Sequence, residues 1–73
     1  MNKKTELLNK FGAKVRGERL KRGLSQEKLA AKADVHRTYI GMIERGEKNI
    51  TLTNIKKVAE ALDLGIYQLL TNL

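Results

Sequence analysis

The sequence of 73 residues contains no cysteine and no proline, and only two tyrosines and one phenylalanine supply aromatic rings. Without cysteine, disulfides and thiolate metal sites are excluded, and the single histidine has no partner with which to complete a metal site. No apolar run approaches the roughly 18 residues of a membrane span, and the lysine-rich start lacks the apolar segment of a signal peptide. We therefore expect a cytoplasmic protein that uses no metal or cofactor and binds no membrane.

The sequence also lacks the side-chain combinations on which enzymes depend. It offers no nucleophile with a base and an orienting group, no paired carboxylates of a pocket and no phosphate-binding loop. We therefore expect that the protein is not an enzyme. The scarcity of aromatic residues also argues against an RNA-stacking surface, because single-stranded RNA is usually bound by stacking its bases on aromatic side chains.

The length predicts one domain over residues 1–73, with residues 1–4 disordered. A domain of this size buries only about 60% of the surface that its unfolded chain exposes, so its stability is expected to be marginal. A second subunit would add buried surface.

The positive charge is concentrated in one half of the sequence. Residues 1–37 hold eleven Lys and Arg against four acidic residues, whereas residues 38–73 hold four of each, and the net charge is +7. The sequence pI is about 10.0. Such a balance is typical of proteins that bind polyanions, because basic side chains displace counterions from phosphates. The alternative is a basic surface that serves only solubility.

The segment from Ser25 to Arg45 reads as two short helices joined by a tight turn. Ser25 is a candidate N-cap of the first, and Leu29, Ala30 and Ala33 share one apolar face. Asp34 lies at the turn, where aspartate is one of the few non-glycine residues that tolerate a left-handed backbone. A second helix begins near residue 36 or 37. This pattern predicts a helix-turn-helix.

The outward face of that second helix carries few charges. At about 100° per residue, Ile40 and Ile43 point inward. The outward residues are Thr38, Gly41, Met42 and Arg45, flanked by Arg37 and Tyr39. A solvated helix usually alternates charges on this side, so the face suits a nucleic-acid groove. The alternative is a small helical bundle with an unspecialised surface.

Three more helices complete an all-α, five-helix prediction. The first runs from about Thr5 to Arg22, and Gly23 ends it. The fourth begins at the cap residue Thr51, and the fifth covers about Gly65 to Leu70. The expected inward residues of the first helix are Leu7 or Leu8, Phe11, Val15 and Leu20; those of the fourth are Leu52, Ile55, Val58, Ala59 and Leu62.

The motif residues resemble a known family. The run GLSQEKLA at residues 23–30, Val35, Ile40 and IERG at residues 43–46 are similar to the phage Cro and repressor type of helix-turn-helix. Within that family, HRTYI at residues 36–40 followed by IERG resembles the controller proteins of restriction-modification genes. The resemblance covers about Phe11 to Leu70. The sequence departs from the family pattern at Asp34 and Asp63, where many members carry glycine.

The resemblance implies a compact domain of the phage repressor type that regulates transcription by binding double-stranded DNA. It also implies an ion pair between Arg19 and Glu44, a phosphate clamp at Gln26 and a DNA contact by Tyr39. A contact with RNA polymerase is a further implication. The alternative is an antitoxin or another protein-interaction module built on the same fold.

The chemistry of the major groove and the family resemblance together assign the contacts in more detail. A bidentate guanidinium matches guanine O6 and N7 in the major groove, so Arg37 is the first candidate for a base contact. The other candidates for base contacts are Thr38, Tyr39, Gly41 and Met42. The candidates for backbone contacts are Ser25, Gln26, Lys28, His36, Arg45, Lys48 and Asn49. Two alternatives stay open. Tyr39 instead packs on the domain, or Met42 only covers Tyr39.

Dimerisation is the last expectation. One recognition helix covers only a few base pairs, and a symmetric pair of such helices about 34 Å apart reads an inverted repeat. The segment 64–73 carries more apolar residues than one face of a small domain requires. We therefore expect a homodimer on a palindromic operator, joined through Ile66, Tyr67, Leu69 and Leu70. The alternative is that these residues belong to the core.

Overall fold

Five helices follow one another in the computed structural model, which describes residues 2–73; Met1 lies outside the described residues. They are α1 (Lys3–Lys21), α2 (Gln26–Ala33), α3 (Arg37–Glu44), α4 (Leu52–Ala61) and α5 (Ile66–Leu70). No strand occurs in the described part of the chain, so the all-α, five-helix prediction is confirmed there. Within residues 2–73, each helix is too short or too polar to cross a membrane.

Polar side chains cap the starts of α1, α2, α3 and α4. The Ser25 hydroxyl oxygen accepts the backbone N–H of Lys28 at 3.0 Å, and the Thr51 hydroxyl oxygen accepts that of Asn54 at 3.2 Å, so both predicted caps are confirmed. An unpredicted cap starts α1, where the Asn2 side chain accepts the N–H of Thr5 at 2.7 Å. The predicted disorder of residues 1–4 is therefore wrong for residues 2–4, which form this cap and the first helical residues.

The reversals after α2 and α4 use aspartate in the left-handed conformation. Asp34 has φ 57° and Asp63 has φ 58°. The first of these turns is the predicted tight connection between α2 and α3, and it forms without glycine. Gly23 also adopts a positive φ, 65°, where the sequence predicted the end of α1.

The core lies where the five helices meet. Its largest fully buried side chains are Val15, Leu29, Ile40, Ile43, Val58, Leu62 and Leu69. The predictions that Leu20 and Leu52 point inward are wrong, since these side chains are 54% and 69% exposed. On α1 the buried face continues from Val15 to Arg19, four residues later, and Leu20 lies about 100° away from it.

Helix α1 approaches the end of α3 closely at Gly12. A Cβ atom at this position would lie 2.8 Å from the carbonyl oxygen of Glu44 and closer still to that of Ile43. Glycine is required here because both neighbours are backbone atoms. The sequence indicated only a weakened helix at this residue.

The C-terminal segment packs back on α1. Leu69 is fully buried in the core, whereas Tyr67 is 73% and Leu70 is 37% exposed. The prediction that Leu69 belongs to a dimer surface is therefore wrong, because α5 turns this side chain inward. The Lys14 ammonium donates to the carbonyl oxygen of Thr71 at 2.8 Å, which fixes the end of the chain against α1.

Candidate nucleic-acid interface

The outward surface of α3, formed by Arg37, Thr38 and the half-buried Met42, is called the reading face below. Arg37 and Thr38 are both exposed, and Arg37 forms no ion pair within the described residues. Ile40 and Ile43 are buried on the opposite side, as predicted. The face therefore presents a guanidinium and a hydroxyl that are free to bind another molecule.

Gly41 is not part of that exposed surface. It is buried, and a Cβ atom there would lie 3.1 Å from Nη1 of Arg45 and 3.7 Å from Oε1 of Gln26. The prediction that Gly41 faces outward is wrong, because these two longer side chains cover it. The glycine lets side chains from α2 and from the end of α3 come together across the helix.

Tyr39 is half-buried at the edge of the reading face and packs against the core. Its hydroxyl oxygen accepts a hydrogen bond from Nδ2 of Asn54 on α4 at 3.0 Å. The Lys48 ammonium lies 5.9 Å from the centroid of its ring, a distance at which a cation is attracted to an aromatic face. The alternative for Tyr39, packing on the domain, is therefore confirmed for the part of the side chain that contacts the core and Asn54.

The predicted pair of Arg19 and Glu44 forms a bidentate ion pair. Nε and Nη2 of Arg19 donate to the two carboxylate oxygens at 2.7 and 2.9 Å. Only 10% of the Arg19 side chain and 4% of the Glu44 side chain are exposed. The hydrogen bonds to Glu44 hold the pKa of Arg19 above its usual value, so the guanidinium stays charged.

The same carboxylate also orients the predicted phosphate clamp. Nε2 of Gln26, the first residue of α2, donates to Oε1 of Glu44 at 3.1 Å. An amide nitrogen carries two hydrogens, so this bond leaves one of them free for a phosphate oxygen. The ion pair thus connects α1 and α3 and also fixes a side chain at the start of α2.

The remaining candidates for phosphate contacts surround the reading face at helix starts and in the following loop. Ser25, Lys28, His36, Lys48 and Asn49 are all exposed. Nδ1 of His36 accepts the N–H of Thr38 at 3.1 Å and caps α3, so only Nε2 is available to an outside partner. Helix N-termini attract anions, which makes the starts of α2 and α3 suitable for phosphate.

Arg45 makes a contact that the sequence reading missed. Its Nε donates to Oε2 of Glu47 at 2.8 Å, and both side chains are exposed. The hydrogen bond from Arg45 lowers the pKa of Glu47, so the carboxylate remains charged near neutral pH. The opposite charges two residues apart on either side of Gly46 were the signal for this pair. Glu47 therefore competes with any phosphate for Arg45.

Replacing Glu47 with glutamine should strengthen DNA binding. The Glu47→Gln variant frees Arg45 for one more phosphate contact, so the slope of log K against log salt should steepen by about 1. Fluorescence anisotropy over a salt series measures this slope. The matched control is Glu60→Gln, which removes the same charge from an exposed position on α4. Equal slopes for the two variants would contradict the competition.

Comparison with known proteins extends these observations. A family model described as helix-turn-helix matches residues 15–69. Control protein C.BamHI from Bacillus amyloliquefaciens is 58% identical over 53 residues, which cover 71% of this chain and 65% of the relative. Control protein C.MunI from a Mycoplasma species is 37% identical over 65 residues, and the match covers 88% of each chain.

A solved structure agrees with the fold. The restriction-modification controller protein C.AhdI from Aeromonas hydrophila is similar with a TM-score of 0.84 and 47% identity, over 85% of this chain and 94% of that one. The predicted architecture is thereby confirmed.

The match covers 65% of the length of C.BamHI, about two thirds of that relative. The family and these relatives are DNA-binding regulators rather than enzymes. The matched residues include α2, α3 and α4, and the chain therefore belongs to the helix-turn-helix family of DNA-binding regulators.

Proposed function

We propose that the protein is a cytoplasmic transcriptional regulator that binds a palindromic operator as a homodimer and controls restriction-modification genes. The observation that carries the proposal is the reading face, where the exposed Arg37 and Thr38 project from a helix whose opposite side is buried. The similarity to control proteins supports the restriction-modification role. A contact with RNA polymerase stays a prediction.

Base recognition is assigned to the reading face. The Arg37 guanidinium donates to O6 and N7 of a guanine, and Thr38 contacts a neighbouring base edge or thymine methyl. Met42 adds apolar contact. The bases are reached from the major groove, because only this groove presents a distinct pattern for every base pair.

Phosphate binding is assigned to the groups on both sides of this face. Gln26 and Ser25 bind at the start of α2, with Lys28 one turn later, and Lys48 and Asn49 bind from the loop after α3. These contacts position the protein and carry no direct sequence information. The excess of positive charge in residues 1–37 supports the same orientation.

A selection of bound sequences from random duplex DNA at physiological salt tests the function. We expect an inverted repeat to be enriched. Arg37→Ala should then lose about 1 to 3 kcal/mol of discrimination at one base pair of each half-site. The matched control, Lys28→Ala, should weaken all sequences about equally, because it removes a phosphate contact. Uniform weakening by Arg37→Ala would refute its role as a base-reading residue.

The dimer interface is assigned to the exposed apolar residues of α5. Tyr67 and Leu70 lie on its outer side, and Leu70 lines an apolar groove with Leu7, Phe11 and Ile55. Ile66 is half-buried and contributes at the edge. Burying such a surface in a dimer adds most to the stability of a small domain, because the domain's own core is limited.

Sedimentation at micromolar concentration should give a dimer for the wild type and a monomer for Leu70→Glu. The charge would be buried without a partner in the dimer but stays solvated in the monomer, so folding is retained. Leu20→Glu is the control, since Leu20 is 54% exposed at the far end of α1. A monomeric wild type would refute the pairing, and absence of any enriched DNA would favour the protein-interaction module.

A further inference from the structure

The hydrogen bond between α3 and α4 at Tyr39 has a direction that bears on recognition. Nδ2 of Asn54 donates at 3.0 Å, and the Tyr39 hydroxyl oxygen accepts. A phenol is both donor and acceptor, so an accepted hydrogen bond leaves its own hydrogen to be donated elsewhere. The half-buried ring therefore presents a free hydrogen-bond donor at the edge of the reading face.

The position of this hydroxyl is fixed from several sides. Asn54 is the third residue of α4, and its backbone N–H is held by the cap residue Thr51 at 3.2 Å. The ring packs against the core, and the Lys48 ammonium lies 5.9 Å from its centroid. The phenol is thus held by a helix that takes no part in the proposed base contacts.

We propose that Asn54 is a positioning residue for recognition, which holds the Tyr39 hydroxyl so that its hydrogen is donated to an acceptor on DNA. The acceptor is a phosphate oxygen or a base-edge acceptor such as guanine O6 or thymine O4, and these share the same chemistry. This inference rests on the proposed function, because it concerns how the same interface reads DNA.

The decisive variant is Asn54→Asp. A carboxylate accepts but does not donate, so it draws the hydroxyl hydrogen of Tyr39 away from DNA. The change is nearly isosteric, and an acidic residue in the first turn of α4 suits the helix dipole, so the fold is retained. Thermal unfolding followed by circular dichroism checks this.

The added negative charge also repels DNA, and a double-mutant cycle separates the two effects. Dissociation constants for the enriched duplex are measured for wild type, Asn54→Asp, Tyr39→Phe and the double variant. Tyr39→Phe should weaken binding about two- to tenfold, the value of one hydrogen bond. Asn54→Asp should weaken binding more in the tyrosine background than in the phenylalanine background, by a similar factor.

The outcomes are distinct. Equal effects of Asn54→Asp in both backgrounds would overturn the inference while leaving the proposed function intact. A wild type that enriches no DNA would refute the proposed function and this inference with it. When the coupling is found, a panel of base-substituted duplexes identifies the acceptor: a Tyr39→Phe loss confined to one base pair indicates a base edge, and a uniform loss indicates phosphate.

Discussion

Glu44→Ala should lower the free energy of unfolding by about 3 to 5 kcal/mol, because it leaves the buried Arg19 guanidinium without its counter-charge. Both side chains are at least 90% buried, and their two hydrogen bonds measure 2.7 and 2.9 Å. Since a domain of this size has little stability in reserve, most of the variant should be unfolded at 37 °C.

Urea unfolding followed by circular dichroism measures the loss. The matched control is Glu18→Ala, which removes a carboxylate that pairs with Arg22 on the surface of α1 and should cost less than about 1 kcal/mol. Replacing both partners, as in the double variant Arg19→Met with Glu44→Leu, should recover much of the loss because no charge is left buried. Equal losses for Glu44→Ala and Glu18→Ala would show that the buried pair is unimportant.

Two glycines of the same helix should respond to alanine with opposite signs. At Gly12, a Cβ atom would be forced against two backbone carbonyl oxygens of α3, one of them 2.8 Å away. Overpacking of this kind costs about 1 to 3 kcal/mol, and more where backbone must move. At Gly17, nothing lies within 4 Å of the new atom, so alanine should stabilise the helix by about 0.5 to 1 kcal/mol.

Thermal denaturation of the pair Gly12→Ala and Gly17→Ala checks this prediction. The helix propensity gained is the same in both variants, so the difference between them reports the contact with α3. We expect the melting temperature to fall for the first and to rise for the second. A rise in both would mean that α1 and α3 can separate without loss.

The local features could be predicted from sequence because their signals lie within a few residues. Ser25 and Thr51 are cap residues before apolar periodic segments, and Asp34 lies between two such segments. The Arg19 and Glu44 pair was available only from the family resemblance. The chemistry of the major groove predicted Arg37 and Thr38 as base-contacting residues. The structure confirms that both are exposed, and their contacts with DNA stay predictions.

The errors arise where the outcome depends on a neighbouring helix. Periodicity alone does not place the inward face of α1 at its last turn, where Arg19 rather than Leu20 is buried. Four of the five residues of α5 are aliphatic or aromatic, and only the packing shows that Leu69 is the buried one. Gly41 is covered by a side chain from α2, and the hydrogen bond that Asn54 donates to Tyr39 spans fifteen residues with no local signal.

Helix α1 packs against both α3 and α5. In the proposed pair of protomers joined through α5, the separation and relative rotation of the two α3 helices therefore depend on how α1 lies across the domain, together with α4, which also packs against α5. A substitution that tilts α1 would change the number of base pairs between half-sites while leaving every base-contacting side chain in place. In the proposed dimer, the spacing between half-sites and the base sequence within each half-site would thus depend on different parts of the fold.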